Sequence, residues 1–146
     1  HEEIVAVTPE VEDDENEAIE VVTPATYYLK NGKHYIVYEE VVEGTSGVIK
    51  NRIKINGDEC VEIVKSGLSN SHMIFEKNKK NQTFYKTPYG QMLIGVNTRH
   101  LQVDFEEDKI AVQIDYELDV NHEPMADCKI RMNIVSKDSG KFSVLS

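Results

Sequence analysis

The stretch KIAVQIDYELDV, from Lys109 to Val120, decides the fold of this chain. Every even position is apolar, whereas the odd positions are mostly polar or charged; the even residues are Ile110, Val112, Ile114, Tyr116, Leu118 and Val120. Alternation with a period of two indicates a β-strand with one buried and one solvated face, because a helix would scatter these residues around its circumference. Burying six such side chains contributes about 10–15 kcal/mol before the entropy cost. A face this apolar needs an opposing apolar face, so the stretch predicts a packed sheet or barrel.

Short strand-like segments joined by turn signals precede and follow this stretch. Asn31-Gly32 and Asn56-Gly57 each separate two such segments, and both predict a tight hairpin turn of the same type. Pro24 interrupts the β-branched segment 18–30 and predicts a bend or bulge rather than a central strand. The segment Glu3 to Thr8, which ends at Pro9, predicts an edge or first strand.

Taken together, the segments predict an all-β chain with no helix of appreciable length. We expect a single antiparallel up-and-down β-barrel of about 8–10 strands, with a β-sandwich as the alternative. Consecutive hairpins favour the barrel, which also removes exposed sheet edges. The single domain spans residues 1–146: an N-terminal strand and acidic loop (1–17), the main barrel (18–135) and a loose C-terminal tail (136–146).

The composition and charge of the chain limit the classes of partner that it is expected to bind. The chain has 26 acidic and 16 basic residues, for a net charge of −10, which disfavours phosphate backbones, so we expect no nucleic-acid partner. No apolar segment approaches the length of a membrane span. The N-terminus lacks the basic and apolar regions of a signal peptide, so we expect a cytoplasmic protein. The chain begins at His1 rather than Met, which leaves an upstream leader open, and the oligomeric state is also left open.

The residues that usually ligate metals are sparse and dispersed. Cys60 and Cys128 lie in separate strand-like segments and are expected to be reduced, half-buried thiols, with a disulfide only if the two strands are neighbours. The five histidines lie far apart and form no short-spaced ligand pair. We therefore expect no metal site and no cofactor.

Charged residues on strands supply the first candidate site. Glu39 and Glu40 are adjacent, so on a strand they point to opposite faces and cannot act as a carboxylate pair. One of them is expected to point into the barrel as a polar anchor for a ligand, with Arg52, Lys65 or Arg99 as its partner. Arg99 is in phase with the apolar residues that follow it in the segment 97–105. A structural ion pair or a rim charge is the simpler alternative.

Tyrosines supply the second candidate site. Tyr85 and Tyr89 flank Pro88 and precede Gly90, a segment that fixes a turn and places two hydroxyls near an apolar ring. Tyr116, on the apolar face of the opening stretch, completes the candidate ligand-binding set. The alternative is a structural turn whose tyrosines cap the core.

An ordered series of short motifs resembles the YwiB-like family of bacterial proteins, which is named as a domain of unknown function. The motifs are Tyr28 to Glu40, Glu43-Gly44-Thr45, Lys65-Ser66-Gly67, Met73 to Glu76, Tyr85 to Gly90, Gly95 to Thr98, and Tyr116-Glu117-Leu118. The resemblance implies a calycin-like β-barrel, similar to lipocalins and fatty-acid-binding proteins, and no established activity. The chain departs from the family pattern at Lys65, where an Arg is usual, and at Pro24-Ala25, which replaces a Gly.

Two functions from different classes follow. The first is a non-enzymatic binding module whose barrel accepts a small apolar or amphipathic molecule, since barrels of this strand number can leave interior room. The second is a barrel filled by its own side chains, including Met73, Met92, Tyr116 and Met132, which acts as a protein-interaction or regulatory module. An enzyme is a third interpretation that no sequence feature demands, because nucleophile, phosphate-loop and metal motifs are missing from the sequence.

Overall fold

The fold is taken from a computed structural model of the protein, which describes the backbone of residues 2–12, 18–20, 22–68 and 70–136. Within these ranges all regular structure is β-strand, and there is no long apolar helix of the kind that crosses a bilayer. The strands are β1 (Glu2–Glu12), β2 (Ala18–Glu20), β3 (Thr23–Lys30), β4 (Lys33–Val41), β5 (Val48–Asn56), β6 (Cys60–Gly67), β7 (Ser71–Glu76), β8 (Lys80–Thr87), β9 (Gly90–Phe105), β10 (Lys109–Val120) and β11 (Glu123–Ser136).

Ten of these strands form one continuous antiparallel path of hydrogen-bonded neighbours. The order is β7-β6-β5-β4-β3-β1-β11-β10-β9-β8, with β2 attached to the end of β1. The N-terminal strand β1 therefore joins two meanders by pairing with both β3 and β11. β7 and β8 are consecutive along the chain and lie close together, but they share no ladder. The predicted all-β barrel is confirmed, as a barrel that is nearly closed and interrupted between β7 and β8.

The sheet curls until its two ends meet across the interior. The rings of Phe75 on β7 and Tyr116 on β10 contact edge to face, with their centroids 4.9 Å apart, although seven steps of the strand path separate them. One contiguous apolar cluster fills the interior, and its fully buried members come from most of the strands. Its largest such members are Phe75, Ile36, Ile53, Ile55, Leu101, Ile114, Val7, Val61, Val96 and Val112.

The stretch from Lys109 to Val120 forms β10, a central strand that pairs with β9 and β11. Ile110, Val112 and Ile114 are buried, and the remaining even positions up to Val120 are half-buried. The inward direction of this face is confirmed. Its apolar side chains are part of the buried core, against which strands on the opposite side of the barrel pack.

A β-bulge overturns the expected orientation of Arg99. Asp115 of β10 pairs with His100, but the next residue, Tyr116, pairs with Thr98, so Arg99 is the extra residue of the bulge. A one-residue insertion shifts the side-chain phase, so the inward residues are even before the bulge and odd after it. Thr98 and Leu101 are accordingly buried, whereas Arg99 is exposed and lies outside the barrel.

The segment Glu3 to Thr8 lies in the first strand, as expected, but two other expectations for the N-terminal region are corrected. Glu3 to Thr8 belongs to a strand between two neighbours rather than at an edge, because β11 and β3 flank β1. Pro24 lies in an uninterrupted central strand and pairs with Ala6 of β1. It is tolerated because the β3–β4 ladder begins only at Thr26, so the missing amide hydrogen does not disrupt that ladder.

The two Asn-Gly turns differ. Asn31 and Gly32 have φ angles of 53° and 76°, as the predicted two-residue turn requires, so this turn is confirmed. At Asn56-Gly57 the predicted hairpin is confirmed, but its turn is of a different type, because β5 continues through Asn56, which pairs with Cys60. Its three-residue loop begins at Gly57, with φ of 56°, and the Glu59 amide donates to the Asn56 carbonyl.

Cys60 and Cys128 are free, partly buried thiols on β6 and β11, as expected. Part of the acidic segment expected to form a loop within residues 1–17 is strand, since Glu10 and Glu12 lie in β1 and pair with β2. Residues 13–17 of that loop and the tail from residue 137 lie outside the described residues.

Candidate functional site

Three polar side chains meet on the inner face of β4, β5 and β6, and we refer to Glu40, Asn51 and Lys65 as the polar cluster. The Asn51 Nδ2 group donates to Glu40 Oε1 at 2.6 Å, and the Lys65 ammonium donates to the same oxygen at 3.0 Å. Period-two geometry explains the meeting, because Asn51 continues the inward face of Ile53 and Ile55 and lies opposite Lys65 in the ladder. Glu40 is thus the inward member of the Glu39-Glu40 pair, and Lys65 is its partner among the three predicted cations.

The polar cluster determines the protonation of two of its groups. Burial would raise the pKa of Glu40, but the hydrogen bonds from Lys65 and Asn51, together with the Lys65 charge, outweigh burial and lower the pKa. Tyr38 lies two residues before Glu40 on the same face of β4 and is partly buried. Its burial, and secondarily the charge of Glu40, raise the pKa of Tyr38 to about 12. At neutral pH the cluster is therefore an ion pair beside an uncharged phenol.

Two buried oxygens on the inner face lack a hydrogen-bond partner among the described protein groups. Asn51 is fully buried and its Oδ1 atom accepts nothing, and the Thr98 hydroxyl, in a residue 1% exposed, is also unpartnered. Leaving such an atom unpaired costs about 1–3 kcal/mol. Buried polar groups of this kind are normally satisfied by water or by a bound molecule.

Beside the polar cluster lies an open groove of about 640 Å³, where the barrel wall is interrupted between β7 and β8; we call it the seam groove. It is lined by Val64, Lys65, Ser66, Leu68, Asn70, Ser71, His72, Thr83, Phe84, Tyr85 and Lys86. Lys65 belongs to both features, so the groove leads directly to the polar cluster.

The lining of the seam groove differs in charge from the rest of the protein. Its charged or titratable nitrogen groups are those of Lys65, His72 and Lys86, and no Asp or Glu is among its described lining residues, although the chain carries a net charge of −10. Lys65 is paired with Glu40, and His72 contacts Glu62, which lies on the neighbouring strand β6. Lys86 is exposed and forms no ion pair with the described residues.

The predicted tyrosines occupy three different environments. Tyr85 lies on β8, is partly buried and lines the seam groove. Tyr89 is fully exposed in the turn after β8 and does not line the groove. Tyr116 points inward against Phe75, and its pKa is raised by burial and further by the hydrogen-bonded thiol of Cys128.

The remaining predicted residues lie on the outside. Glu39 and Arg52 are exposed on the outer faces of β4 and β5. Arg99, displaced by the bulge, forms an ion pair with Glu117 at 3.0 Å. The structure thus brings together Glu40, Lys65 and Tyr85 around the seam groove. Tyr116 also points into the barrel, but it packs against Phe75. The other predicted side chains lie on the outside of the barrel.

The prediction of site residues from the sequence missed Tyr38, Asn51, Phe84 and Lys86. The first two carried a signal, since both lie in phase with inward apolar residues while bearing polar groups. Phe84 and Lys86 carried none, because their importance comes from a break in strand pairing that the local sequence does not encode.

A smaller cavity, of about 290 Å³, lies at another part of the barrel around Tyr27, His34 and Phe105. The Tyr27 hydroxyl lies 2.6 Å from His34 Nδ1, and burial lowers the pKa of His34. Nowhere in the described part of the chain do three or more His, Cys, Asp or Glu side chains come close enough to hold a metal ion.

The strand path and its interruption define the chain as a nearly closed, ten-strand antiparallel β-barrel with a polar cluster at the break. Residues 5–132 match the family described as "Domain of unknown function (DUF1934)", and the chain belongs to this family. It is similar to the "uncharacterized beta-barrel protein YwiB" of Bacillus subtilis (strain 168), with 32% identity over 114 residues, covering 77% of this chain and 78% of that protein. The family resemblance inferred from the sequence is thereby confirmed.

The crystal structure of the ywiB protein from Bacillus subtilis has the same fold. It superposes with a TM-score of 0.70 at 24% identity, and the match covers 92% of each chain. At this identity the likeness establishes the barrel architecture, and the function of the present chain has to be argued from its own residues.

Proposed function

We propose that the protein is a non-enzymatic binding module that holds a small, partly apolar molecule in the seam groove, with the polar cluster as its anchor. The observation that carries this proposal is the coincidence of two independent features. An open groove of about 640 Å³ lies at the one interruption of the described strand path, and it leads to a partly buried cluster in which the buried Asn51 has an unused acceptor. Ligand sites in barrels combine apolar walls with a few placed polar groups in this way.

The groove differs from the interior in being open. The middle of the barrel is occupied by side chains, as the contact between Phe75 and Tyr116 shows, so the proposed ligand lies in the wall rather than at the barrel axis. Tyr85 is positioned at the groove, where its hydroxyl can orient the polar part of a ligand. The unbridged thiols Cys60 and Cys128 support a cytoplasmic location for this binding module.

The same packing favours a second candidate. A barrel filled by its own side chains can act through its outer surface as a protein-interaction or regulatory module, and the interior contact of Phe75 with Tyr116 is the observation that supports it. That candidate predicts no saturable binding of small molecules at the seam groove.

Ligand binding is tested with the purified protein by native mass spectrometry for a co-purified molecule, and by a thermal-shift panel of fatty acids and apolar dyes. We expect saturable binding that is lost in Ser66→Trp, which fills the groove from an exposed position, and retained in Gln102→Trp on the exposed face of β9. No co-purified molecule and no saturable binding by any member of the panel would contradict the proposal and favour the interaction module.

A further inference from the structure

From the charge of the seam groove we infer the class of molecule that it accepts: an amphipathic organic anion, whose acidic group lies at Lys86 and whose apolar body lies on Phe84 and Leu68. This inference rests on the proposed function of the groove and names its ligand class.

The first step is electrostatic. A protein with 26 acidic residues among 146 would be expected to place some of them along an opening of this size, yet the described lining residues include none. Carboxylates along the groove would repel an anion, whereas their absence from the lining beside the exposed Lys86 lowers the electrostatic cost of bringing one in.

The second step concerns which cation is available. Lys65 is already bonded to Glu40, so it contributes an oriented dipolar pair rather than an uncompensated charge. Lys86 is exposed and has no ion-pair partner among the described residues, so its ammonium group is free to pair with a ligand acid. A carboxylate, sulfonate or phosphate accepts such a charge-assisted hydrogen bond equally well, so the inference specifies an acidic group rather than one acid.

The third step concerns the apolar part. Phe84 is 68% exposed and Leu68 is 56% exposed, and both line the groove. Large apolar side chains gathered beside polar groups at an opening are typical of ligand-binding grooves. Leu68 lies directly against Gly47, where an added Cβ atom would be 2.5 Å from Leu68 Cδ1.

The experiment uses two fluorescent probes that share one ring system. The dye 8-anilinonaphthalene-1-sulfonate carries an acidic group, and N-phenyl-1-naphthylamine lacks it. Each is titrated into the wild-type protein, into Lys86→Gln, and into Lys30→Gln, which removes the same charge from an exposed position at the β3–β4 turn. Near-ultraviolet circular dichroism confirms that all three proteins retain the same packing, so the sulfonate probe does not report partial unfolding.

We expect saturable one-site binding of the sulfonate, about tenfold tighter than that of the neutral dye and weakening with added salt. Lys86→Gln is expected to weaken sulfonate binding about three- to tenfold while leaving the neutral dye unchanged, and Lys30→Gln to change neither. Equal affinity for both dyes, or equal effects of the two substitutions, would overturn the anion inference and leave the binding function standing. Absence of saturable binding by either dye would overturn both. Loss of the sulfonate site as the protein dimerises in sedimentation would mean that a second copy covers the groove, which also overturns the inference.

Discussion

Lys65 and Glu40 lie on strands that are not neighbours, yet the Lys65 Nζ atom is 3.0 Å from Glu40 Oε1. They meet across Asn51, which lies on the intervening strand β5 and donates to the same carboxylate oxygen. A pair of this kind links three strands through side chains, in addition to their backbone ladders, and it places one charged contact at the edge of the seam groove.

The first prediction concerns the acid stability that this contact provides. Because the pKa of Glu40 is lowered in the folded protein, its contribution is present above the unfolded-state pKa and is lost as the pH falls through the folded-state pKa. Glu40→Gln should therefore destabilise the protein at pH 7 by about 0.5–1 kcal/mol, at the scale of a partly exposed pair, since the Glu40 side chain is 42% exposed. Urea unfolding from pH 7 to pH 3 should show this difference shrinking.

The neighbouring residue provides the control for this experiment. Glu39→Gln removes the same charge from the outer face of the same strand, where the residue is exposed. If Glu39→Gln reproduced the pH-dependent loss seen for Glu40→Gln, the effect would come from net charge and the polar cluster would have no role in stability.

The second prediction concerns the alkaline limit. Tyr38 has a pKa raised to about 12 by burial and by the charge of Glu40, so the folded state keeps the phenol protonated after the unfolded state has lost its proton. The stability linked to Tyr38 is present below pH 10 and is lost as the pH rises towards 12. Tyr38→Phe should lose less stability than wild type over this interval in parallel urea titrations. Identical pH dependence in the two proteins would show that Tyr38 is not the buried phenol.

The third prediction compares two phenylalanines. Phe75 is fully buried and packs edge to face on Tyr116, so Phe75→Ala should destabilise the protein by about 3–5 kcal/mol. Phe84 is 68% exposed, and Phe84→Ala should change the free energy of unfolding by less than about 1 kcal/mol. Chemical denaturation measures the free energy of unfolding of both variants. Comparable losses of stability would contradict the burial of Phe75 against Tyr116 in the barrel interior.

The fourth prediction concerns the end of β6 beside the seam groove. Gly67 has a φ of 114°, and a Cβ atom there would lie 2.4 Å from the Val48 carbonyl oxygen. Gly67→Ala should cost about 2–3 kcal/mol from strain and steric overlap. Gly44, with a φ of 83° and open space around it, is the matched position, where the alanine should cost about 1 kcal/mol. Thermal unfolding of the two variants should rank them in this order, and the reverse order would show that Gly67 does not approach Val48.

The sequence predicts local structure well where one physical effect dominates. Period-two patterning identified β10 and its inward face, and Asn31-Gly32 identified a turn that needs positive φ at both positions. The orientation of Arg99 was missed because a bulge changes the phase of a strand without leaving a signature in residue type. Pro24 was misread because its tolerance depends on where the β3–β4 ladder begins, which is a property of the assembled sheet.

The candidate site was predicted only in part, for a related reason. The inward phase of Glu40 followed from strand geometry, but its pairing with Lys65, 25 residues later, depends on the registers of two ladders. The interruption between β7 and β8 is a result of global closure, since both segments have ordinary strand sequences. Lys86 and Phe84 gain their importance from that interruption and so could not be singled out beforehand.

The central claim is that the interruption between β7 and β8 is the binding site, and amide chemical-shift mapping tests it most directly. Titrating labelled protein with 8-anilinonaphthalene-1-sulfonate should shift resonances along the seam groove, at Lys65, Ser71, Tyr85 and Lys86, and leave those around His34 and Phe105 in place. Shifts confined to the cavity around His34 and Phe105, or no saturable shifts at all, would contradict the account.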